Sequence, residues 1–139
     1  MRRVMGVSLF EPLVLEPLLR GTWLLNAWLK LMGADVSMGA LILGVVEDYD
    51  MVKICDGAVV AGVVNGHALA AADGEPSIAV APTTIGDRAV VHQHATVSCV
   101  NVGAASTVSA STSSPPGKVL EPGHVYGGRP PERLTADWM

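Results

Sequence analysis

Residues 36–64 read Val-Ser-Met-Gly-Ala-Leu-Ile-Leu-Gly-Val-Val-Glu-Asp-Tyr-Asp-Met-Val-Lys-Ile-Cys-Asp-Gly-Ala-Val-Val-Ala-Gly-Val-Val. Val36, Ile42, Ile54 and Val60 fall on one six-residue period, and only Asp48 breaks the apolar run. Four residues after each of these positions stands a small or β-branched residue: Ala40, Val46, Val52, Ala58 and Val64. The period returns at Ile85, Val91 and Val97, with Ala89 and Ala95 in the small slot. A helix repeats near 3.6 residues and a half-buried strand at 2, so a period of six fits neither alone. It predicts an all-β solenoid, a parallel β-helix in which each hexad is one short strand plus a corner.

Hexads begin at Val36, Ile42, Asp48, Ile54, Val60, Ala79, Ile85, Val91, Val97, Val102 and Val108. The step from Val97 to Val102 is one residue short. The pair Ile54-Cys55-Asp56-Gly57-Ala58-Val59 and Ile85-Gly86-Asp87-Arg88-Ala89-Val90 lies 31 residues apart. Three hexads make one turn of 18 residues, which leaves 13 inserted, and residues 66–78 fit as a loop. The expected organisation is an N-terminal apolar helical segment over 1–35, a β-helix over 36–113 interrupted by that loop, and a proline-rich extended tail over 114–139. Pro115, Pro116, Pro122, Pro130 and Pro131 argue against continued sheet in the tail.

Bulk composition agrees with a narrow core. Half of the 139 residues are hydrophobic, yet there are only three Trp, two Tyr and one Phe; stacked Val, Ile and Ala need few rings. The net charge is −4 with no basic patch, which argues against a nucleic-acid partner. Cys55 and Cys99 are too few and too far apart for a disulfide framework or a zinc motif and read as reduced thiols, favouring an intracellular or organellar reducing compartment.

Before the first hexad, Thr22 to Met32 reads as a helix with Thr22 as N-cap and Gly33 as its stop. Residues 8–21, with Pro12, Pro17 and Gly21, read as short broken helical pieces. Thr22, Asn26 and Lys30 form one narrow polar stripe on the helix. A helix apolar over most of its circumference wants burial on more than one side. Capping the open end of the β-helix satisfies one side; a partner subunit or a bilayer surface reached through Trp23 and Trp28 would satisfy another. From Ala89 to Gly117 there is no Asp, Glu, Lys or Arg, which fits a sheet face covered by neighbouring subunits.

The hexads resemble the [Leu/Ile/Val]-Gly-x-x-[Ser/Thr/Ala/Val]-x repeat of the hexapeptide-repeat acyltransferases, with Ile85-Gly86-Asp87-Arg88-Ala89-Val90 a full match. The tail Tyr126-Gly127-Gly128-Arg129-Pro130-Pro131-Glu132-Arg133-Leu134 is similar to the Gly-Asn-Pro-Ala-Arg segment that ends many of these enzymes. Together with Leu29-Lys30-Leu31-Met32-Gly33-Ala34, the ensemble most resembles the C-terminal β-helix domain of large synthetase-like membrane proteins. The resemblance implies a left-handed β-helix and a homotrimer, with acyl-CoA in a groove between subunits and a histidine near the extruded loop as general base. His67 stands at the matching position, with Asp73 or Glu75 to orient it. Lys118 and Arg129, beyond the uncharged wall, are the cations available to the CoA phosphates.

Missing repeat glycines count against catalysis: Cys55, His92 and Ser98 stand where the pattern has Gly. The alternative is therefore a catalytically inactive β-helix serving as a structural subunit of a larger complex. His92-Gln93-His94 invites a metal reading, but two histidines flanking one residue in a single hexad point to an outer corner, so no metal is expected.

Overall fold

The structure is a computed structural model and describes residues 16–72 and 74–135. It is an all-β fold whose sheets are mostly parallel. The first sheet holds β1 (Asp35–Val36), β4 (Val52–Ile54), β9 (Thr83–Ile85), β12 (Asn101–Val102) and β14 (Val119–Leu120), in that spatial order. The second runs β2 (Leu41–Ile42), β5 (Val59–Val60), β10 (Val90–Val91), β13 (Thr107–Val108) and β15 (Val125–Gly127). Antiparallel β16 (Glu132–Arg133) closes its far edge. The third holds β3 (Val45–Val46), β6 (Val63–Asn65) and β11 (Thr96–Ser98). A separate antiparallel hairpin, β7 (His67–Ala72) and β8 (Glu75–Val80), pairs only with itself.

The six-residue period becomes ladders. Val36, Ile54, Ile85, Val102 and Leu120 align in the first sheet, all at 1% exposure or less. Ile42, Val60, Val91, Val108 and Tyr126 align in the second, and Val46, Val64 and Val97 in the third. The small-slot residues Ala40, Val52, Ala58, Ala89 and Ala95 are buried beside them, and the core is one contiguous cluster drawn from all three sheets. Burying each Val or Ile contributes about 1.5–3 kcal/mol, so the two- and three-residue strands of the parallel ladders hold because each places an apolar residue in its ladder; only β16, Glu132–Arg133, among the described short strands has none.

The corners explain why the missing glycines do little damage. In four of the five connections from the first sheet to the second, the fourth residue of the hexad is left-handed, Gly39 in the first being the exception. Gly57, Arg88, Ala105 and Gly123 occupy it with φ of 67°, 55°, 55° and 74°. The second position, where Cys55 and His92 replace Gly, is not among the left-handed residues. Gly86 answers a different need: a Cβ there would lie 2.6 Å from the backbone nitrogen of Ala104 in the next turn.

The sheets also continue where a proline-rich tail was expected over 114–139. Leu120 pairs with Val102 and Tyr126 with Val108, extending two ladders. Pro115, Pro116, Pro122, Pro130 and Pro131 all fall in the connections, where no ladder N–H is lost. Ala79 does not open a hexad, because it lies in β8; nor are 66–78 an irregular loop, because His67–Val80 is a hairpin.

At the N-terminal end, α1 (Glu16–Leu19) leads into α2 (Trp23–Met32). Thr22 is extended at the N-cap position, but its hydroxyl donates to Leu19 O at 2.6 Å rather than capping α2. Gly33, at φ 111°, ends the helix in the left-handed conformation. Leu25 and Leu29 join the core over the first strands. Asn26 is fully buried, not part of a solvent stripe; its Nδ2 donates to Ala40 O at 2.7 Å and Ser37 O at 3.0 Å. Residues 8–15 of the expected broken helical pieces lie outside the described residues.

Candidate functional site

The connections from the third sheet back to the first carry the irregular chemistry. The earliest one runs through Asp48, at φ 53°, and a 3-10 turn over Tyr49–Met51. The next rises into the β7–β8 hairpin from Gly66, whose N–H donates to Asp48 Oδ2 at 3.3 Å and whose carbonyl accepts from Ala81 N at 3.0 Å. Gly66 sits against Met51, where an added Cβ would come within 2.5 Å of the Met51 Cβ. Thr83 Oγ1 donates to Asn65 O at 2.6 Å, and Cys99 Sγ lies 3.3 Å from Gly66 O. The hairpin base is thus fixed from both sides.

That base holds His67 against Asp48: the imidazole Nδ1 makes a short hydrogen bond to Asp48 Oδ2. A carboxylate only accepts, so Nδ1 carries a proton, and in the neutral ring it is Nε2 that keeps the lone pair. The His67 side chain is 46% exposed, whereas Asp48 is 11% exposed. A sheltered carboxylate orienting a solvent-reachable imidazole is the arrangement a general base needs.

Among the described residues the partner of His67 is therefore Asp48 and not Glu75. Glu75 pairs with Ala72 at the hairpin tip, while His67 pairs with Val80 at its foot. At about 3.3 Å per residue this separates Glu75 from the imidazole by several residues of strand. Asp73 lies outside the described residues. Asp48 carried a signal in the sequence: it is the single polar residue on the apolar period of residues 36–60.

The hairpin alternates. His67, Leu69 and Ala71, with Pro76, Ile78 and Val80 opposite them, are exposed on one face, Leu69 at 86% and Ile78 at 66%. The imidazole and an apolar platform thus share a face. Two shallow concavities of about 320 and 400 Å³ are lined by neither His67 nor Asp48.

Lys118 and Arg129 sit at different corners. Lys118 precedes β14, and its Nζ donates a short hydrogen bond to Pro131 O. It is at the edge from which the hairpin leaves, two strands along the sheet order β9-β12-β14. Arg129 follows β15 and donates from Nε to Ser111 O at 3.0 Å.

His92 and His94 are exposed, on the outer corner where the hexad register put them. Among the described residues no three His, Cys, Asp or Glu side chains gather as metal ligands. Cys55 is partly buried; burial, with the carboxylates of Asp87 and Asp35, pushes its thiol up from the ordinary value against the opposing effect of Lys53.

Outer rows differ between the sheets. The first carries Asp35, Lys53, Thr84 and Asn101, with Lys53 Nζ 3.3 Å from Asp35. The second carries Leu41, Val59, Val90, Thr107 and Val125, with no charge. No family model matches the sequence, and no curated protein gives a significant match to it.

Proposed function

We propose that the ladders wind as a left-handed parallel β-helix of the hexapeptide-repeat type, and that the chain is an acyl-CoA-dependent transferase with His67 as general base and Asp48 as its positioning residue. The winding is supported by the recurrence of ladder residues at steps of 18, as from Val36 to Ile54 and from Ile42 to Val60. The observation that carries the chemistry is the Asp48–His67 hydrogen bond at the foot of the hairpin.

In this reading the acceptor hydroxyl or amine gives its proton to Nε2 as it attacks the thioester carbonyl carbon. The C–S bond of the tetrahedral intermediate then breaks, and the proton passes to the departing CoA thiolate. Asp48 keeps Nδ1 protonated throughout, so the ring exchanges protons only at Nε2. An apolar face beside the imidazole suits an acyl chain. The site is an open surface in one chain, and a neighbouring copy in a homotrimer, packed on the uncharged outer row of the second sheet, would supply its other wall. Lys118 is then the cation nearer the hairpin edge for the CoA phosphates, with Arg129 at another corner.

The second reading, a non-catalytic subunit of a hetero-complex, is favoured by the same uncharged row, Leu41 to Val125. Native mass spectrometry in the presence of CoA separates the two. A homotrimer that retains CoA supports the transferase; a chain that neither trimerises nor binds CoA overturns it.

A further inference from the structure

The outward face of α2 is the wrong polarity for a helix facing water. At about 3.6 residues per turn, Leu25, Asn26 and Leu29 share the side turned to the core, and all three are buried. The opposite arc holds Trp23, Leu24, Ala27 and Leu31. Trp23 is 63% exposed, Leu24 45% and Leu31 74%, and Leu18 of α1 adds a side chain at 74%. The uncharged polar residue of the helix, Asn26, is spent inward on the carbonyls of Ser37 and Ala40, which leaves Lys30 as its polar residue at the surface. Trp28, by contrast, is half-buried and packs on the core, so it is not part of this surface.

Charge says what covers the face. Residues 16–34, which hold both helices, contain Arg20 and Lys30 against the single acid Glu16, a net charge of +1, whereas the whole chain carries −4. Both cations are exposed and flank the apolar arc at its two ends. Asp35, the next acid along the chain, is held by Lys53. A Trp and leucines on one helix face, with basic side chains able to reach past them, is the layout of a helix lying in a lipid interface. No described helix is long and apolar enough to cross a membrane, and α2 has only ten residues, so it would lie flat.

We propose that α1 and α2 form an interfacial anchor that sets the N-terminal end of the β-fold against a membrane surface bearing anionic headgroups. Leu18, Trp23, Leu24 and Leu31 enter the apolar boundary, and Arg20 and Lys30 meet the lipid phosphates. The inference is independent of any chemistry at His67.

Co-sedimentation of the full chain with vesicles tests it. One set is phosphatidylcholine alone; the other contains about one third phosphatidylglycerol. The chain should pellet with the anionic vesicles and much less with the neutral ones. The double substitution Leu18→Ser with Leu31→Ser, both fully on the surface, should weaken binding by about tenfold or more. Lys30→Glu should weaken it several-fold and reduce its dependence on salt. Val119→Ser, an exposed position on the first sheet, should leave it unchanged. No binding to either vesicle overturns the proposal, as does binding that survives the double substitution. Self-association without lipid binding, if the double substitution abolishes it, also overturns it by assigning the face to a second copy.

Discussion

Two kinds of connection start from the same hexad and end differently. From the first sheet to the second, Ile54 to Ala58, Ile85 to Ala89 and Val102 to Ser106 span equal lengths, each with its left-handed residue at the fourth position. From the third sheet back to the first, no two described connections agree. One contains Asp48 and a 3-10 turn, one grows into the β7–β8 hairpin, and one is short and bends at Cys99, φ 55°. The uniform corners close on backbone contacts that admit little variation, such as the approach of Gly86 to Ala104. The variable corner has room to acquire side chains with no part in the ladders, and it is where an acid and an imidazole meet.

The contrast can be broken first on the regular side. Ile85 is fully buried in the middle of its ladder. Ile85→Ala should cost about 2–5 kcal/mol in a denaturant titration; a loss below 1 kcal/mol would mean that the ladders do not carry the stability. On the variable side the sensitivity should appear in activity. Asp48→Asn offers an amide to Nδ1 and favours the wrong tautomer, so turnover should fall by at least about tenfold with little change in melting. Unchanged turnover would remove Asp48 from the site.

Excising residues 68–79 in favour of a short glycine-serine link should change stability by less than about 1 kcal/mol, since the hairpin pairs only with itself and loop closure depends weakly on length. A loss comparable to that of Ile85→Ala would show that the hairpin belongs to the core. The smallest effect concerns Cys55. Its raised pKa lowers the thiolate fraction near neutrality, so alkylation should keep accelerating above pH 9, and Asp87→Asn should speed it modestly at pH 8, by about two- to threefold. A rate that levels off below the ordinary thiol range would contradict the assigned burial and charge.

Much of this division was legible in the residues. The spacing of Val36, Ile42, Ile54, Val60, Ile85 and Val91 places inward residues directly, because a period of six leaves few geometries open. Asp48 was visible as the break in that period, but its partner was not, since the contact joins residues 48 and 67 across a turn and depends on where Gly66 lifts the chain. The prolines misled because strands here are only two or three residues long. Rules about proline in sheets presume a strand long enough to contain it, and here every proline from 115 to 131 finds a connection. Asn26 misled for a similar reason: its spacing with Thr22 and Lys30 describes a stripe, but the carbonyls of Ser37 and Ala40 give a buried amide its partners.

The central claim is that His67 acts and is not merely placed. The most direct measurement is CoA release from a panel of acyl-CoA thioesters with candidate hydroxyl and amine acceptors, comparing the wild-type chain with His67→Ala at matched oligomeric state and melting temperature. The account predicts turnover by the wild type and a loss of about 10²–10⁴-fold in the variant, with its fold intact because the His67 side chain is half exposed. Equal turnover in the two proteins would contradict it.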